Sequence, residues 1–327
     1  MLGELALIAR IRAATAGRHR HLRLGIGDDC AILAPPPSHE LLVTTDFSLE
    51  GRHFRRDWHP AASIGHRALA RGLSDIAAMG GTPLAAFLSV ALPRSVKPNW
   101  INDFLDGLLA LAATTKTPLA GGDTSESPSD NILADIVLLG SAPAGRALRR
   151  STARPGDILY VTGSLGGAAT ELSALAQNPR RYRNANPTGD HPHLYPQPRL
   201  AIGQTLLRRH LATACIDLSD GLSTDLAHLC TESSVAAEVH ATALPLHPLT
   251  HSLSAEQALH NALHGGEDYE LLFTARPETR IPRSIVGVPI TPIGALRNAR
   301  KSAPQVTLLE ASGDRIPLAP QGWQHLQ

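Results

Sequence analysis

Gly25-Ile26-Gly27-Asp28-Asp29 places two adjacent carboxylates directly after two glycines, and Thr44-Thr45-Asp46 adds two hydroxyls and a third carboxylate shortly downstream. Adjacent carboxylates repel each other, so a folded chain accepts them most easily when cations lie between the charges. Glycine has no Cβ and lets a ligand approach the backbone. Oxygen ligands of this kind suit Mg²⁺ or Ca²⁺. For this stretch alone, the alternative interpretation is a turn with a solvated pair of aspartates.

The composition is typical of a globular protein with two domains. The chain has 327 residues, of which 43% are apolar and 18% are charged. This length is sufficient for two domains that each have a core. Lys and Arg outnumber Asp and Glu by only 30 to 29, so no overall field would attract nucleic acid or a membrane surface.

Cysteine usage and the N-terminal segment bear on localisation. The three cysteines are Cys30, Cys215 and Cys230, an odd and scattered set that argues against a disulfide framework. The first twelve residues lack the apolar core of a signal peptide, and no apolar run reaches transmembrane length. We therefore expect a cytoplasmic protein that contacts neither membrane nor nucleic acid.

Short apolar segments that end in acids flanked by Gly or Ser recur along the chain. GGDT at 121–124, IDLSDG at 216–221 and GGEDYE at 265–270 repeat the pattern of the opening stretch. Asp75 lies near the C-terminal end of a predicted helix over 63–79, with Ser63 as its expected N-cap, where the helix dipole disfavours an anion. A ligand for Asp75 is one interpretation, and a surface ion pair with Arg71 is the other.

Predicted strands and helices alternate along the chain. Residues 141–156 are rich in Pro, Gly and Arg, and we place the boundary between the domains 1–142 and 143–327 in this region. The glycine-rich segment 163–167 precedes a predicted helix and would suit phosphate, although it lacks a P-loop lysine. His191 and His193 fall in a proline-rich stretch that predicts a solvated loop.

The repeated acids point to phosphate chemistry with metals. Two phosphate groups of charge near −2, about 4 Å apart, repel by roughly 15 kcal/mol at an effective dielectric constant near 20. Few basic residues lie near the acidic motifs, so several Mg²⁺ ions would have to offset this repulsion, as in other phosphoryl transferases. No nucleophile elbow, Cys-His pair or kinase-type motif accompanies the acids.

Six motifs in this order resemble those of the thiamine-monophosphate kinases, within the superfamily that includes aminoimidazole ribonucleotide synthetase: GIGDDCA at 25–31, TD at 45–46, LSDIAAMG at 73–80, GGDT at 121–124, IDLSDG at 216–221 and GGEDYE at 265–270. The resemblance implies two α/β (α+β) domains, each with a mixed sheet flanked by helices. It also implies ATP-dependent phosphorylation of thiamine monophosphate to thiamine diphosphate, the final step of thiamine diphosphate biosynthesis. ATP and several Mg²⁺ ions would lie between the domains, and a homodimer would form through the N-terminal sheets.

The resemblance also assigns site residues by motif position, with no residue in a covalent catalytic role. Metal ligands would be Asp29, Thr44, Thr45, Asp46, Asp75, Asp123, Asp217 and Asp220. ATP would contact Gly122, Asp123, Arg150 and Ser219, with Arg149 as an alternative to Arg150. The thiamine substrate would contact His53, Glu267 and Trp323. The role of Asp28 stays open.

Two other classes of function are weighed against this one. A Ca²⁺-binding module would also use clustered acids, but residues 123–130 lack the glycine and terminal glutamate of an EF-hand. Another ATP-dependent synthetase of the same superfamily is the alternative enzyme. For Trp323, packing of the C-terminal segment is the alternative to contact with a cationic ring.

Overall fold

The computed structural model describes residues 4–15, 17, 19–188, 190–300 and 303–323. The chain divides into two compact units. Unit 1 comprises residues 1–76, 81–145 and 174–196, and unit 2 comprises residues 77–80, 146–173 and 197–327. Among the described residues, no helix combines the length and the apolar character needed to cross a membrane.

Unit 1 is built around a four-stranded mixed sheet. Its elements in chain order are α1 (Glu4–Ala14), β1 (Leu22–Leu24), β2 (Ile32–Leu33), β3 (His39–Leu49), α2 (Ala61–Ala78), β4 (Thr82–Leu92), α3 (Pro98–Thr115), β5 (Leu119–Glu126) and β6 (Leu133–Pro143). The strand order is β3-β6-β4-β5. β4 and β5 are parallel, and the other neighbouring strands are antiparallel. The last two residues of α2 belong to unit 2.

One face of this sheet is covered by α2. Ile64, Leu69, Leu73 and Ile76 recur at helical spacing and are buried, as expected for the apolar stripe of an amphipathic helix. α2 and α3 cross at two glycines: a Cβ on Gly65 would lie 1.8 Å from the Phe104 carbonyl oxygen, and a Cβ on Gly107 would lie 1.9 Å from that of Ala62. Only glycine permits backbones to approach this closely.

The opposite face of the sheet carries exposed apolar side chains. Strand geometry places alternate residues on opposite faces. Leu42 and Thr44 lie on the side that α2 covers: the Leu42 side chain is next to Gly81, and the Thr44 side chain is next to Gly72. Leu41, Val43 and Phe47 therefore point the other way, and they are 50–66% exposed. We call the face formed by Leu41, Val43, Thr45 and Phe47 of β3 the open face.

Unit 2 contains a larger mixed sheet with helices. Its elements are β7 (Ile158–Thr162), α4 (Gly167–Gln177), α5 (Leu200–Arg208), β8 (Ala214–Asp217), α6 (Leu222–Ser233), β9 (Val235–His240), α7 (Ala255–His264), β10 (Leu271–Ala275), β11 (Ser284–Ile285), β12 (Val288–Asn298), β13 (Val306–Leu309) and β14 (Arg315–Pro317). The last four residues of α4 belong to unit 1. The strand order is β14-β13-β9-β12-β7-β10-β8, with β11 beside β12. β13 and β9 are parallel. The core includes Leu159 and Val161 of β7 and Leu226 and Leu229 of α6.

The predicted fold class is confirmed, and two local predictions are wrong. Helix α2 begins at Ala61, so Ser63 is not its N-cap; the Ser63 hydroxyl donates to the Pro60 carbonyl oxygen at 2.8 Å. His193 is not solvated, because it is 1% exposed and its Nε2 lies 3.0 Å from Nε2 of His59. A proline-rich composition indicates the absence of helix and strand, but it does not show which side chains of a loop are buried.

Candidate active site

The middle of β3 and the C-terminal half of α2 bring three predicted metal ligands together in unit 1. Thr44 and Asp46 share the face of the sheet that α2 covers, and the Thr44 hydroxyl donates to Asp75 Oδ2 in a short hydrogen bond. Arg71 Nε lies 3.8 Å from Asp46 Oδ1. Asp75 thus faces β3, as expected for an acid whose place near the helix C-terminus is unfavourable in isolation.

The carboxylate of Asp46 is buried beside a second negative charge, which disfavours its ionised form. Its Oδ2 atom is buried and has no hydrogen-bond partner among the residues that the structure describes. Burial, and then the charge of Asp75, raises the pKa of Asp46 to about 6; Arg71 lowers it and Asp135 raises it further. A buried oxygen without a donor beside a second carboxylate is a position that a cation would stabilise.

Thr45 points to the open face of the sheet. Its hydroxyl donates to Asp135 Oδ1 of β6 at 2.8 Å. The structure therefore does not place the Thr45 side chain beside Thr44 and Asp46, since neighbouring residues of a strand face opposite sides. Asp135 escaped the sequence analysis because no glycine or serine flanks it in the apolar run of β6.

A cavity of about 620 Å³ in unit 1 is lined by three further predicted site residues of that unit. Its polar side is formed by the loop 25–31 and by β5, which contribute Asp29, Gly122 and Asp123. The carboxylates of Asp29 and Asp123 are on exposed residues, and Asp123 Oδ1 accepts from the Thr124 N–H at 2.9 Å. Asp28 also lines the cavity, where its Oδ1 accepts from the Asp29 N–H at 2.9 Å.

Gly122 brings the backbone of β5 unusually close to β4. Its φ is +149°, and a Cβ at this position would lie 1.8 Å from the Leu88 carbonyl oxygen. No side chain fits there, so the strand can carry Asp123 to the cavity only with glycine before it.

The rest of the cavity is apolar. Its walls include Leu7, Ile8 and Ile11 of α1, Phe87 of β4, and Trp100 and Phe104 of α3. The Trp100 Nε1 atom is buried and has no hydrogen-bond partner within the described part of the chain. A cavity of this volume, mostly apolar with few polar groups, is typical of small-molecule sites. Periodicity did not distinguish Trp100 from an ordinary core residue of α3.

His53 lies just after β3, four residues beyond its last residue. Its Nδ1 accepts from the Leu49 N–H at 3.0 Å, and its carbonyl oxygen accepts from Arg67 Nη2 at 3.1 Å. These two contacts fix the turn that carries the half-buried imidazole.

Unit 2 joins three sequence motifs through backbone hydrogen bonds. The loop after β8 contains Ser219 and Asp220, and we call residues 218–221 the β8–α6 loop. The Ser219 carbonyl oxygen accepts from the Glu267 N–H at 2.8 Å, and the Asp220 carbonyl oxygen accepts from the Trp323 N–H at 3.1 Å. Four predicted site residues, separated by up to about a hundred positions in the chain, therefore meet at this loop.

Asp217 and Asp225 flank that loop and are buried. Asp225 was not singled out from the sequence, although an acid in the first turn of a helix after DLSDG is a visible signal. Burial, and then the charges of Asp217 and Asp220, raises the pKa of Asp225 well above its usual value, while backbone donors lower it. Asp220 of the loop and the flanking Asp217 and Asp225 are thus three acids in close proximity.

The two candidate arginines are both exposed. Arg149 and Arg150 lie before β7 with their side chains at the surface. The Arg149 carbonyl oxygen accepts from the Cys215 N–H at 3.2 Å, and that of Arg150 accepts from the Ser233 hydroxyl at 2.6 Å. Both backbones are anchored, so geometry does not choose between the two guanidinium groups.

The glycine-rich segment 163–167 already holds an anionic group. Asp268 accepts from the Gly166 N–H at 2.7 Å and from the Ala168 N–H at 3.0 Å, at the start of α4. Burial raises the pKa of Asp268 to about 7, although these two hydrogen bonds lower it. The carboxylate occupies the donors that a phosphate would need, so this segment is structural.

Comparison with known proteins identifies the family. Residues 27–142 match the family model described as AIR synthase related protein, N-terminal domain, and residues 154–281 match AIR synthase related protein, C-terminal domain. The thiamine-monophosphate kinase of Salmonella typhimurium is 42% identical over 303 residues, which cover 90% of each chain. This chain belongs to the thiamine-monophosphate kinase family.

Solved structures of thiamine-monophosphate kinases have the same fold. That of the Stenotrophomonas maltophilia K279a enzyme superposes with a TM-score of 0.82 at 38% identity, covering 94% of this chain and 96% of the other. AaThiL complexed with AMPPCP and TMP superposes with a TM-score of 0.77 at 30% identity, covering 99% and 97%. The predicted family and the fold of two sheet-and-helix domains are confirmed.

The donor set of both units fits a hard divalent cation. Among the described residues, no three His, Cys, Asp or Glu side chains are arranged to hold an ion alone. Mg²⁺ does not require such a cage, because it usually keeps several waters and binds one or two carboxylates plus substrate phosphates. The pair Asp46 and Asp75, with the unpartnered Asp46 Oδ2, matches that mode of binding.

Proposed function

We propose that this protein transfers the γ-phosphate of ATP to thiamine monophosphate, giving thiamine diphosphate. The observation that carries the proposal is the similarity, over nearly the whole chain, to AaThiL complexed with AMPPCP and TMP. The activity predicted from the sequence agrees with that of the curated thiamine-monophosphate kinases at 36–42% identity. In this proposal, residues 1–142 bind ATP and metal, and residues 143–327 complete the site.

The nucleotide would occupy the 620 Å³ cavity of unit 1. Its apolar walls, including Phe87 and Phe104, suit the faces of a purine ring, and the Trp100 N–H offers a donor to a ring nitrogen. Gly122 lines the cavity, and its close approach to Leu88 of β4 fixes the part of β5 that would contact ATP. Arg150 or Arg149, and Ser219, would make further contacts with ATP.

Several Mg²⁺ ions would be held by the carboxylates and hydroxyls of the two units: Asp29, Thr44, Thr45, Asp46, Asp75, Asp123, Asp217 and Asp220. When bound, such ions would offset the negative charge of the phosphate groups and stabilise the charge that develops during transfer. The Thr45 side chain faces Asp135 on the other side of the sheet, so any contribution of Thr45 beside Asp46 would come from its backbone. Asp46 would bind as the anion, since a cation lowers the pKa of a neighbouring carboxyl group.

The transfer itself would be direct and in line. The acceptor is a phosphate oxygen of thiamine monophosphate, and because its second pKa is near 6 it is largely deprotonated at neutral pH. It attacks the γ-phosphorus, the bond to the bridging oxygen breaks, and ADP leaves. No general base is needed, so the protein contributes positioning and electrostatic stabilisation. A chiral γ-phosphate should show inversion at phosphorus, and net retention would contradict direct transfer.

The experiment that tests the function is a coupled ADP-release assay. We expect ADP release with thiamine monophosphate and ATP, and none above background with thiamine or with a formylglycinamidine ribonucleotide. Release with the ribonucleotide and not with thiamine monophosphate would assign the chain to another ATP-dependent synthetase of the superfamily.

Trp323 is proposed to contact the thiamine end of the substrate. Its N–H is anchored to Asp220, while its side chain is 45% exposed and available to cover a cationic thiazolium ring. Such a contact contributes roughly 0.5–2 kcal/mol. Trp323→Ala should therefore raise KM for thiamine monophosphate by a factor of about 2 to 30 and leave Tm and KM for ATP nearly unchanged.

Trp100→Ala is the matched control for that variant. It removes a tryptophan from the wall of the unit 1 cavity, so it should raise KM for ATP more than KM for thiamine monophosphate. If Trp323→Ala raised KM for both substrates equally, or lowered Tm strongly, the indole ring of Trp323 would act by packing alone.

We also propose a homodimer formed through the open face of the unit 1 sheet. Leu41, Val43 and Phe47 are 50–66% exposed on this face, and large exposed apolar patches mark interaction sites. Sedimentation should give twice the mass of the chain, 34.7 kDa, and Val43→Glu should give the monomer. A monomeric wild-type protein at micromolar concentration would contradict this proposal.

Residence in the cytoplasm is proposed from the thiols. All three cysteines are free, and Cys30 is exposed, a state that a reducing compartment preserves. Cell fractionation would test this, and recovery of the protein outside the cytoplasm would contradict it.

A further inference from the structure

Asp225 holds the β8–α6 loop through a single oxygen atom. Asp225 Oδ2 accepts from the N–H groups of Ser219 at 3.1 Å, Asp220 at 3.0 Å and Gly221 at 3.1 Å. Three consecutive backbone donors converge on one acceptor, so the loop is curled around that atom. Asp225 is 3% exposed, and water has little access to replace it.

The carbonyl groups of the same loop accept hydrogen bonds from other segments of the chain. The Leu218 carbonyl oxygen accepts from the Tyr269 N–H at 2.9 Å, and those of Ser219 and Asp220 accept from Glu267 and Trp323. The tail that carries Trp323 is also held by α6, since the Gly322 N–H donates to the Thr224 hydroxyl at 3.1 Å. A Cβ on Gly322 would lie 1.9 Å from the Asp220 carbonyl oxygen. The tail thus follows the position of the loop closely.

The loop is therefore fixed in two ways. Its N–H groups donate to Asp225, and its carbonyl oxygens accept from the segments that carry Glu267 and Trp323. If the donors lost Asp225, three N–H groups, one of them on buried Gly221, would lack their acceptor. A buried backbone group without a partner costs about as much as a lost hydrogen bond. The loop would turn to find other acceptors, and the backbones bonded to its carbonyls would move with it.

We propose that Asp225 is a positioning residue that sets the nucleotide and metal contacts of Ser219 and Asp220 and, through the loop carbonyls, the thiamine contacts of Glu267 and Trp323. This inference rests on the proposed function of those four residues. Asp225 itself touches neither substrate. Its loss should therefore affect both substrates together, unlike the loss of Trp323 or Trp100.

The variants Asp225→Ala and Asp225→Asn test this role, with Asp157→Asn as the matched control. Asp157 is likewise 3% exposed in unit 2. Its Oδ2 accepts from the Arg154 N–H at 3.0 Å and the Thr213 hydroxyl at 2.7 Å, and neither of these two partners is a proposed site residue. Asp225→Asn keeps one acceptor oxygen, whereas Asp225→Ala keeps none. Activity, Mg²⁺ dependence, Tm, and binding of AMPPCP and thiamine monophosphate by calorimetry are measured for each.

We expect Asp225→Ala to lower kcat/KM by about 10²-fold, the usual effect of misplacing reacting groups by about 1 Å, and to weaken calorimetric binding of both ligands. The Mg²⁺ concentration for half-maximal activity should rise. Asp225→Asn should lie between Asp225→Ala and the wild type. Asp157→Asn should lower Tm without changing these values.

Other outcomes overturn the inference. If Asp225→Asn matched the wild type in binding and Mg²⁺ dependence while losing Tm as Asp157→Asn does, Asp225 would be structural only. Asp225→Asn alone decides the matter should Asp225→Ala not fold. Failure of the wild type to phosphorylate thiamine monophosphate would instead overturn the proposed function, and the wild-type arm reports this separately.

Discussion

Asp46→Asn should lower kcat for phosphoryl transfer about 10²–10³-fold and, in the absence of Mg²⁺, make the folded protein more stable above pH 6. The activity loss follows because asparagine keeps the shape of the side chain and removes the charge that would hold a cation. Loss of one electrostatic contact to a transition state typically costs about 10²–10³-fold in kcat. The stability gain follows because the wild-type carboxylate is buried beside Asp75.

The pH dependence of that stability gain has a definite sign. Asp46 has a pKa of about 6 in the folded protein, against 3.8 ordinarily. Below the ordinary pKa, Asp46 is protonated in both the folded and the unfolded state, so it does not change the free energy of unfolding. As pH rises through 6, the folded state loses stability, up to about 3 kcal/mol for a shift of this size. The Tm difference between Asp46→Asn and the wild type should be largest near pH 8 and shrink towards pH 4.

Asp103→Asn is the control for Asp46→Asn, because it removes an exposed carboxylate of α3 in the same unit. It should change neither turnover nor the pH profile of Tm. Wild-type turnover of Asp46→Asn at ordinary Mg²⁺, or equal Tm values at pH 8, would show that Asp46 does not hold a cation in this site.

Gly122→Ala should cost both activity and stability. A Cβ at this position would lie 1.8 Å from the Leu88 carbonyl oxygen, so β5 must move away from β4 and carry Asp123 with it. Overpacking of this kind costs typically about 1–3 kcal/mol, and a shift of Asp123 by about 1 Å would lower turnover about 10²-fold. Urea unfolding and the ADP-release assay measure the two effects.

Gly145→Ala separates backbone strain from the steric clash. Gly145 also has positive φ, +69°, but a Cβ there meets no atom within 4 Å. Its replacement should cost about 1–2 kcal/mol, the usual cost of a left-handed backbone conformation for a residue with a Cβ, and leave turnover unchanged. If the two variants lost activity equally, the close approach of β5 to β4 would not be what positions Asp123.

The sequence predicted the acids and their supporting glycines well, because short-range chemistry explains them. Strand-then-acid patterns placed Asp46, Asp123 and Asp217 at or in strands, and the unfavourable dipole at the end of α2 indicated that Asp75 needs a partner. The structure supplies that partner as Thr44, a contact 31 positions away in the chain that no local pattern contains.

The features that the sequence did not predict depend on which face of a strand a side chain occupies and on contacts between distant segments of the chain. Thr45 shares a motif with Thr44 and Asp46, yet the alternation of a strand sends its hydroxyl to Asp135. The loop 163–167 has the composition of a phosphate site, but Asp268, a hundred residues later, takes its donors. Both cases require knowledge of which segments meet, and that information is not local.

The glycine crossing of α2 and α3 also acts as a pivot for the carboxylate of Asp75. Gly65 lies against the backbone of α3, and Asp75 lies ten residues further along α2, about 15 Å away at the rise of an α-helix. A tilt of α2 by about 4° at that pivot would move the Asp75 end by about 1 Å, simply from the length of the lever arm. Mutations at the helix crossing, ten residues from Asp75, would therefore alter the proposed metal site through a tilt of α2.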